Sequence, residues 1–412
     1  MKFKRIKIPE LCVPAGNLNI LKYALEYGAD AVYIGGGRFN LRSFGQNFSI
    51  ADLKEAVQFA HLKNAKVYLT LNAIVSENEA EDLIKYIKEI EEIPFDAIIV
   101  SDPGVLRIIK EILPAMHIHI STQTSTSNHI AVNFWESSGA SRVTLARELE
   151  YNEIRNIVKN SNIEIEVFIH GALCISYSGR CMLSKYMSGR DANKGQCSHT
   201  CRWKYYLMEE KRPNMFLPVE QDRRGTYIYN SRDLCLLDKL DLIVDAGVNS
   251  LKIEGRNKTE NYVSITTWVY RKALDLIAEG KFNNQKKAYL LKELDKSTHR
   301  NFTTGFMFLE GKENEQLTDN DNVGYVRKYK FAGSIKGYSK EYNSPIIKVR
   351  NQFKVGDTLD ILQPGKNPKK IKLHKIISLA TCEPVEVANT NDDVIIKEIG
   401  DIDRYSIIRV KM

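Results

Sequence analysis

The sequence predicts an α/β protein: a TIM-like (β/α)8 barrel with a cysteine-rich insertion after strand 7 and a small C-terminal β-barrel domain. Three observations carry this. Eight short apolar runs alternate with amphipathic stretches between Glu10 and about Gly255. Their spacing breaks once, where most of the cysteines fall. From about Asn322 the helical period disappears and short alternating strands with glycine turns take over.

The runs are ELCVPAG (10–16), AVYIGGG (31–37), KVYLTLNA (66–73), DAIIV (96–100), HIHISTQTS (117–125), RVTLAREL (142–149), IEVFIHG (165–171) and SLKIEGR (250–256). Helix starts are signalled between them by Asn17, Ser49, Ser76 and Asn152, residue types whose side chains accept from the first free N–H groups of a helix. Strands alternating with helices imply right-handed parallel crossovers, and eight is the count that closes a barrel; a doubly wound sheet is the alternative. A catalytic domain is expected over 1–320, with its insertion at 171–249, and the β-barrel over 321–412. In a barrel the insertion leaves the C-terminal end of a strand, the face on which active sites are built.

The balance of 43% hydrophobic and 27% charged residues is that of a globular protein. The N-terminus has no apolar h-region and no stretch reaches the length of a membrane span, so a cytoplasmic protein is expected, with neither membrane nor DNA as partner. Net charge is +8, and residues 321–412 hold 17 Lys and Arg against 11 Asp and Glu, which suits either a polyanionic partner or a solvated lysine-rich surface. Seven cysteines without secretory context argue for reduced thiols rather than disulfides. Cys12 and Cys382 read as core residues.

The other five, Cys174, Cys181, Cys197, Cys201 and Cys235, crowd into or just after the insertion. Structural zinc sites usually present two close pairs, and only Cys197 and Cys201 form one, so a cluster held by dispersed thiolates matches better than zinc. His170, at a strand end, is a candidate acid or base. Arg38, Arg42, Arg147 and Arg256 fall in or just beyond strands, where together they suit a carboxylate- or phosphate-rich ligand; loop salt bridges are the competing reading. In the insertion Arg180, Lys185, Arg190, Lys194, Arg202 and Lys204 are interleaved with Tyr177, Tyr186, Trp203, Tyr205 and Tyr206, a pattern compatible with single-stranded RNA. No serine-hydrolase, zinc-protease or nucleotide-binding motif is present.

ELCVPAGNLNILKYALEYGADAVYIGG, EVFIHGALCISYSGRCMLS, GRDANKGQCSHTCRWKY, SRDLC, KIEGRNKTENYV and STHRNFTTGF resemble the collagenase-like peptidase family U32 over nearly the whole chain. The pattern is similar to the subgroup that modifies tRNA. That resemblance implies oxygen-independent hydroxylation of the wobble uridine to 5-hydroxyuridine, with prephenate or a close relative as hydroxyl donor and the tRNA anticodon loop as partner. It also implies a 4Fe-4S cluster on Cys174, Cys181, Cys197 and Cys235, loaded by iron–sulfur assembly machinery, with Cys201 the spare. Arg38, Arg42, Arg256, Arg202 and Trp203 become candidate substrate contacts, and Arg147 and His170 candidate catalytic residues. A peptidase, or an iron–sulfur hydroxylase of another RNA or of a quinone precursor, is the alternative.

Overall fold

The computed structural model describes residues 7–41, 47–174, 176–200, 232–308 and 325–412, and the backbone of short strands at 207–209, 212–217, 220–222 and 225–227. Arg42, Cys201, Arg202 and Trp203, singled out by sequence, lie outside the described residues.

Eight strands, β1 (Glu10–Pro14), β2 (Ala31–Ile34), β3 (Lys66–Leu71), β4 (Ala97–Val100), β5 (Ile118–Ile120), β6 (Arg142–Thr144), β7 (Glu164–Ala172) and β8 (Ser250–Ile253), run parallel in that order. Leu251 of β8 pairs with both Leu11 of β1 and Val167 of β7, which closes the barrel. Side chains alternate across each strand. Leu11, Val13, Val32, Ile34, Val167 and Leu251 face outward into the helical layer, whereas Cys12, Tyr33, Tyr68 and Ile99 form a separate cluster inside.

The helices are α1 (Leu18–Glu26), α2 (Ile50–Leu62), α3 (Ala80–Glu89), α4 (Pro103–Ile112), α5 (His129–Ser137), α6 (Tyr151–Lys159), α7 (Leu183–Ser188), α8 (Leu240–Asp245), α9 (Glu260–Ala278) and α10 (Asn284–Leu294). Asn17 and Ser49 cap α1 and α2, and Ser76 opens a short 3-10 turn that leads into α3. Asn152 does not cap α6. Glu150 does, because Glu153 reaches back to its backbone N–H at 2.8 Å and the helix can begin at Tyr151. Among the described residues no helix is long and apolar enough to cross a membrane.

The barrel's N-terminal end is filled by an ion network rather than by aliphatic layers. Arg142 donates to Glu10 at 2.6 Å and to Glu164 at 2.6 Å, while Lys252 donates to Glu166 at 2.8 Å. Thr144 and Ser250 complete the shell of Glu166. Buried charge is tolerable only when paired and hydrogen-bonded in this way. Burial pushes the Glu166 carboxyl up, but Lys252 and Arg142 outweigh it and hold it at about 2.

By Asp233 the chain is back against β7, so the insertion is shorter than 171–249. Asp233, Leu234 and Cys235 pair antiparallel with Ala172, Gly171 and His170, and α8 follows as an ordinary barrel helix. The C-terminal unit is an antiparallel half-barrel of eight strands, in the order Lys369–Lys372, Thr358–Leu362, Ile407–Lys411, Tyr329–Ser339, Ser344–Val349, Asp393–Ile395, Ile376–Ser378 and Pro384–Val385. It has its own core around Ile347, Phe353 and Ile361. Tyr27 of the barrel donates to Leu362 O at 2.9 Å, and the buried Arg409 pairs with Asp360 and Glu293, so the two units are stitched through buried polar contacts. Cys382 is exposed, not core: it occupies a tight turn at φ 59°.

Candidate active site

The insertion folds back over the C-terminal mouth of the barrel. Gly179 (φ +76°) lies against Gln123, where a Cβ would sit 1.9 Å from the Gln123 carbonyl oxygen; no larger residue fits that approach. Glu148, just after β6, accepts from the backbone N–H of Ser178 at 3.0 Å, and Ser125 Oγ donates to Ser178 O. Farther along, Ile74 N–H donates to Asn193 O at 3.1 Å, and Lys194 spans Ser76 and Glu79 at 2.7 and 2.6 Å. Three barrel loops therefore hold one stretch of insertion, and a cavity of about 200 Å³ lies beneath it.

The cavity floor is Tyr33, Thr70, Thr144, Phe168 and Lys252 from the strands; Arg147, Glu254 and Arg256 form its sides. Arg256 is buried, donating to Thr70 Oγ1 at 3.0 Å and Asn40 Oδ1 at 2.8 Å. A Cβ at Gly35 would lie 2.1 Å from its guanidinium, so that glycine makes room for the arginine. Arg147 donates to Ala172 O at 3.1 Å and lies over the Phe168 ring. Burial lowers its pKa, yet the neighbouring Cys174, Glu148 and Glu254 outweigh burial and raise it, so it stays charged. Its buried Nε–H has no hydrogen-bond partner among the described residues. An orphaned guanidinium N–H facing a cavity calls for an acceptor from a ligand.

Cys174, Cys181 and Cys197 line the same cavity. Cys235 does not. Its Sγ lies 3.8 Å from the Tyr270 hydroxyl, and burial pushes its thiol up to about 11. Among the described residues the one trio of metal-type donors within 4.8 Å is Glu10, Cys12 and Glu166, at the barrel's far end, where Arg142 and Lys252 already neutralise the carboxylates. Three sulfur donors lining one cavity, with the charged Arg147 beside Cys174, are the donor type an anionic iron–sulfur cluster takes. As placed, the fourth cysteine does not face it.

Of the other residues read from sequence, Arg147 and Arg256 meet in the cavity, while Arg38 is exposed and does not line it. His170 also stays outside. A register shift pairs His170 with Ile253, an outward residue, so the imidazole turns toward Tyr262, Tyr270 and Phe302. Burial there holds its pKa at about 3, and it does not line the cavity. That removes the geometric basis for a proton-carrier role at the cavity. Sequence reasoning missed Lys252 and Glu254, which the alternation of SLKIEGR signals: Leu251 and Ile253 face the helices, so Lys252 and Glu254 face inward.

Residues 16–317 match the model of peptidase family U32, and residues 327–409 match that of the peptidase family U32 C-terminal domain. The chain is 39% identical over 359 residues to tRNA hydroxylation protein P1 of Bacillus subtilis, covering 87% of this chain and 84% of that one. It is 36% identical over 404 residues to tRNA hydroxylation protein P of Escherichia coli, covering 87% of each. It is also 36% identical over 304 residues to a 23S rRNA 5-hydroxycytidine synthase of Escherichia coli, covering 72% of this chain and 45% of that one. With both family models matched across most of its length, the chain belongs to peptidase family U32.

Proposed function

We propose that the chain is an RNA hydroxylase that acts on tRNA, converting the wobble uridine to 5-hydroxyuridine with a prephenate-like hydroxyl donor. The observation that carries this reading is the cation-lined cavity at the barrel mouth, roofed by a segment bearing three cysteines. Relatives named as tRNA hydroxylation proteins and as an rRNA hydroxycytidine synthase support RNA as the substrate class.

Arg147 and Arg256 would grip the two carboxylates of the donor, above a floor where Lys252 is already paired with Glu166. The insertion keeps bulk water off the reacting carbon, which strengthens each of these contacts. Replacing C–H by C–OH takes two electrons from the base, and these would pass to the donor, whose C–OH would become C–H as its hydroxyl is transferred. An iron–sulfur cluster, when bound, would supply a one-electron centre to relay them. Cys174, Cys181 and Cys197 would hold it, with Cys235 as the described candidate for the fourth thiolate; iron–sulfur assembly proteins would load it. A peptidase reading predicts gelatin cleavage that survives removal of iron. Nucleoside mass analysis of tRNA from a strain lacking this protein tests the proposal: 5-hydroxyuridine-type nucleosides should vanish and return on complementation, and unchanged levels would refute it.

A further inference from the structure

We infer that the outer face of α7 is a stacking platform for unpaired RNA bases, with Tyr186 as its principal contact, beside the cavity mouth. The inference rests on the RNA reading above and adds where the substrate docks.

α7 lies on the roof of the cavity, in the chain segment between Cys181 and Ala192, both of which line it. Ser184 ties the helix down: it is buried, donates to Arg190 O at 2.7 Å and lies 2.8 Å from Ser198 Oγ. That anchoring points the opposite side outward. Tyr186 is 88% exposed and Met182 62% exposed, while Tyr177, itself part of the cavity lining, is 45% exposed. Tyrosine normally buries most of its ring, so a wholly exposed one on an anchored turn costs apolar hydration with no intramolecular return.

The surrounding charge selects the partner. Residues 173–200 carry Arg180, Lys185, Arg190 and Lys194 against one carboxylate, Asp191. Lys194 is spent on Ser76 and Glu79, Lys185 pairs with Asp191 at 3.3 Å and Arg180 donates to Ser125 Oγ at 3.3 Å, yet Arg180, Lys185 and Arg190 are all exposed, so the same stretch of surface keeps a net positive charge. An apolar protein partner would favour a patch depleted in charge, whereas exposed aromatic faces set among cations suit a phosphodiester strand with splayed bases. A duplex presents no free base faces, so the platform discriminates loops from stems. Tyr177, at the mouth and in the lining, is placed to meet the base that enters the cavity.

Binding of the full-length protein to a fluorescent RNA hairpin with an unpaired loop, and to a duplex of equal charge, tests this. Wild type should prefer the hairpin. Tyr186→Ala should weaken hairpin binding about tenfold, while Tyr186→Phe, which keeps the ring, should stay within about twofold. Duplex binding should be the same for all three. With tRNA as substrate, Tyr186→Ala should raise KM and leave kcat unchanged. A wild-type hairpin preference that persists intact in Tyr186→Ala overturns the platform while leaving the RNA reading standing. Phe as weak as Ala also overturns it, because stacking does not need the hydroxyl. A wild-type protein that binds neither RNA overturns the RNA reading and the platform with it.

Discussion

Arg300 and Asp233 form a buried pair in which Arg300 Nη2 donates to Asp233 Oδ1 at 2.8 Å and the Arg300 backbone N–H donates to Oδ2 at 3.0 Å. Asp233 begins the strand that ends at Cys235, and this strand also pairs with Phe302 and Thr303. The pair therefore fixes where the chain re-enters the barrel after the insertion. Burial raises the Asp233 carboxyl, but Arg300 and Lys258 outweigh it and hold it below its ordinary range. Removing Arg300 leaves a buried carboxylate alone, so Arg300→Ala should cost about 3–5 kcal/mol of stability in denaturant titrations. A loss under about 1 kcal/mol would mean the pair does not organise this junction.

Acid should unfold the barrel from inside. Glu166, held at about 2 when folded and near 4.3 when unfolded, contributes stability that is present above pH ~4.3 and lost as pH falls toward 2. His119, edge-on to Tyr68 at 4.6 Å, is kept neutral by burial and by Arg142, well below its ordinary value. A histidine depressed in this way stabilises the fold above its unfolded pKa near 6.5 and withdraws that stability as pH falls. Urea midpoints should therefore decline from about pH 6.5 downward, and His119→Gln should flatten the limb between about 6.5 and 4.5. An unchanged limb in the variant would exclude His119 as its source.

Arg147 should matter for the donor rather than for the fold of the roof. Arg147→Ala should lower kcat/KM for a dicarboxylate donor about 10–100-fold, the range for losing a charge-assisted hydrogen bond. Arg147→Lys should recover little of it, because an ammonium does not reproduce the guanidinium fork. Full activity in either variant, at unchanged iron content, would remove Arg147 from donor binding.

Cysteine variants decide the ligand set. Cys174→Ser, Cys181→Ser and Cys197→Ser should each give anaerobically purified protein with less iron and a bleached visible spectrum. Cys235→Ser should do the same if its thiol leaves Tyr270 when metal binds, and Cys201→Ser should keep its colour. The reverse pattern for Cys235 and Cys201 would replace the fourth ligand.

The barrel was legible because parallel strands buried on both faces read as compact apolar runs, and the helices between them carried caps such as Asn17 and Ser49. Arg147 and Arg256 were legible for the same reason: a residue at a strand's C-terminal end must arrive at the mouth. His170 was not, because the irregular register opposite Lys252 and Ile253 reverses the face that simple alternation assigns. Arg38 was not, because the direction of the loop after β2 is set by packing that apolar periodicity does not encode. The facing of Cys235 depends on an antiparallel pairing across more than sixty residues of chain, a register that no local pattern reports.

The most direct test of the central claim is an anaerobic reaction of iron-loaded protein with prephenate and tRNA lacking the modification, followed by nucleoside mass analysis. The account predicts 5-hydroxyuridine that depends on prephenate and is lost in Cys174→Ser and Arg147→Ala. Absence of hydroxylated nucleoside with fully loaded protein, or equal product without prephenate, would contradict it.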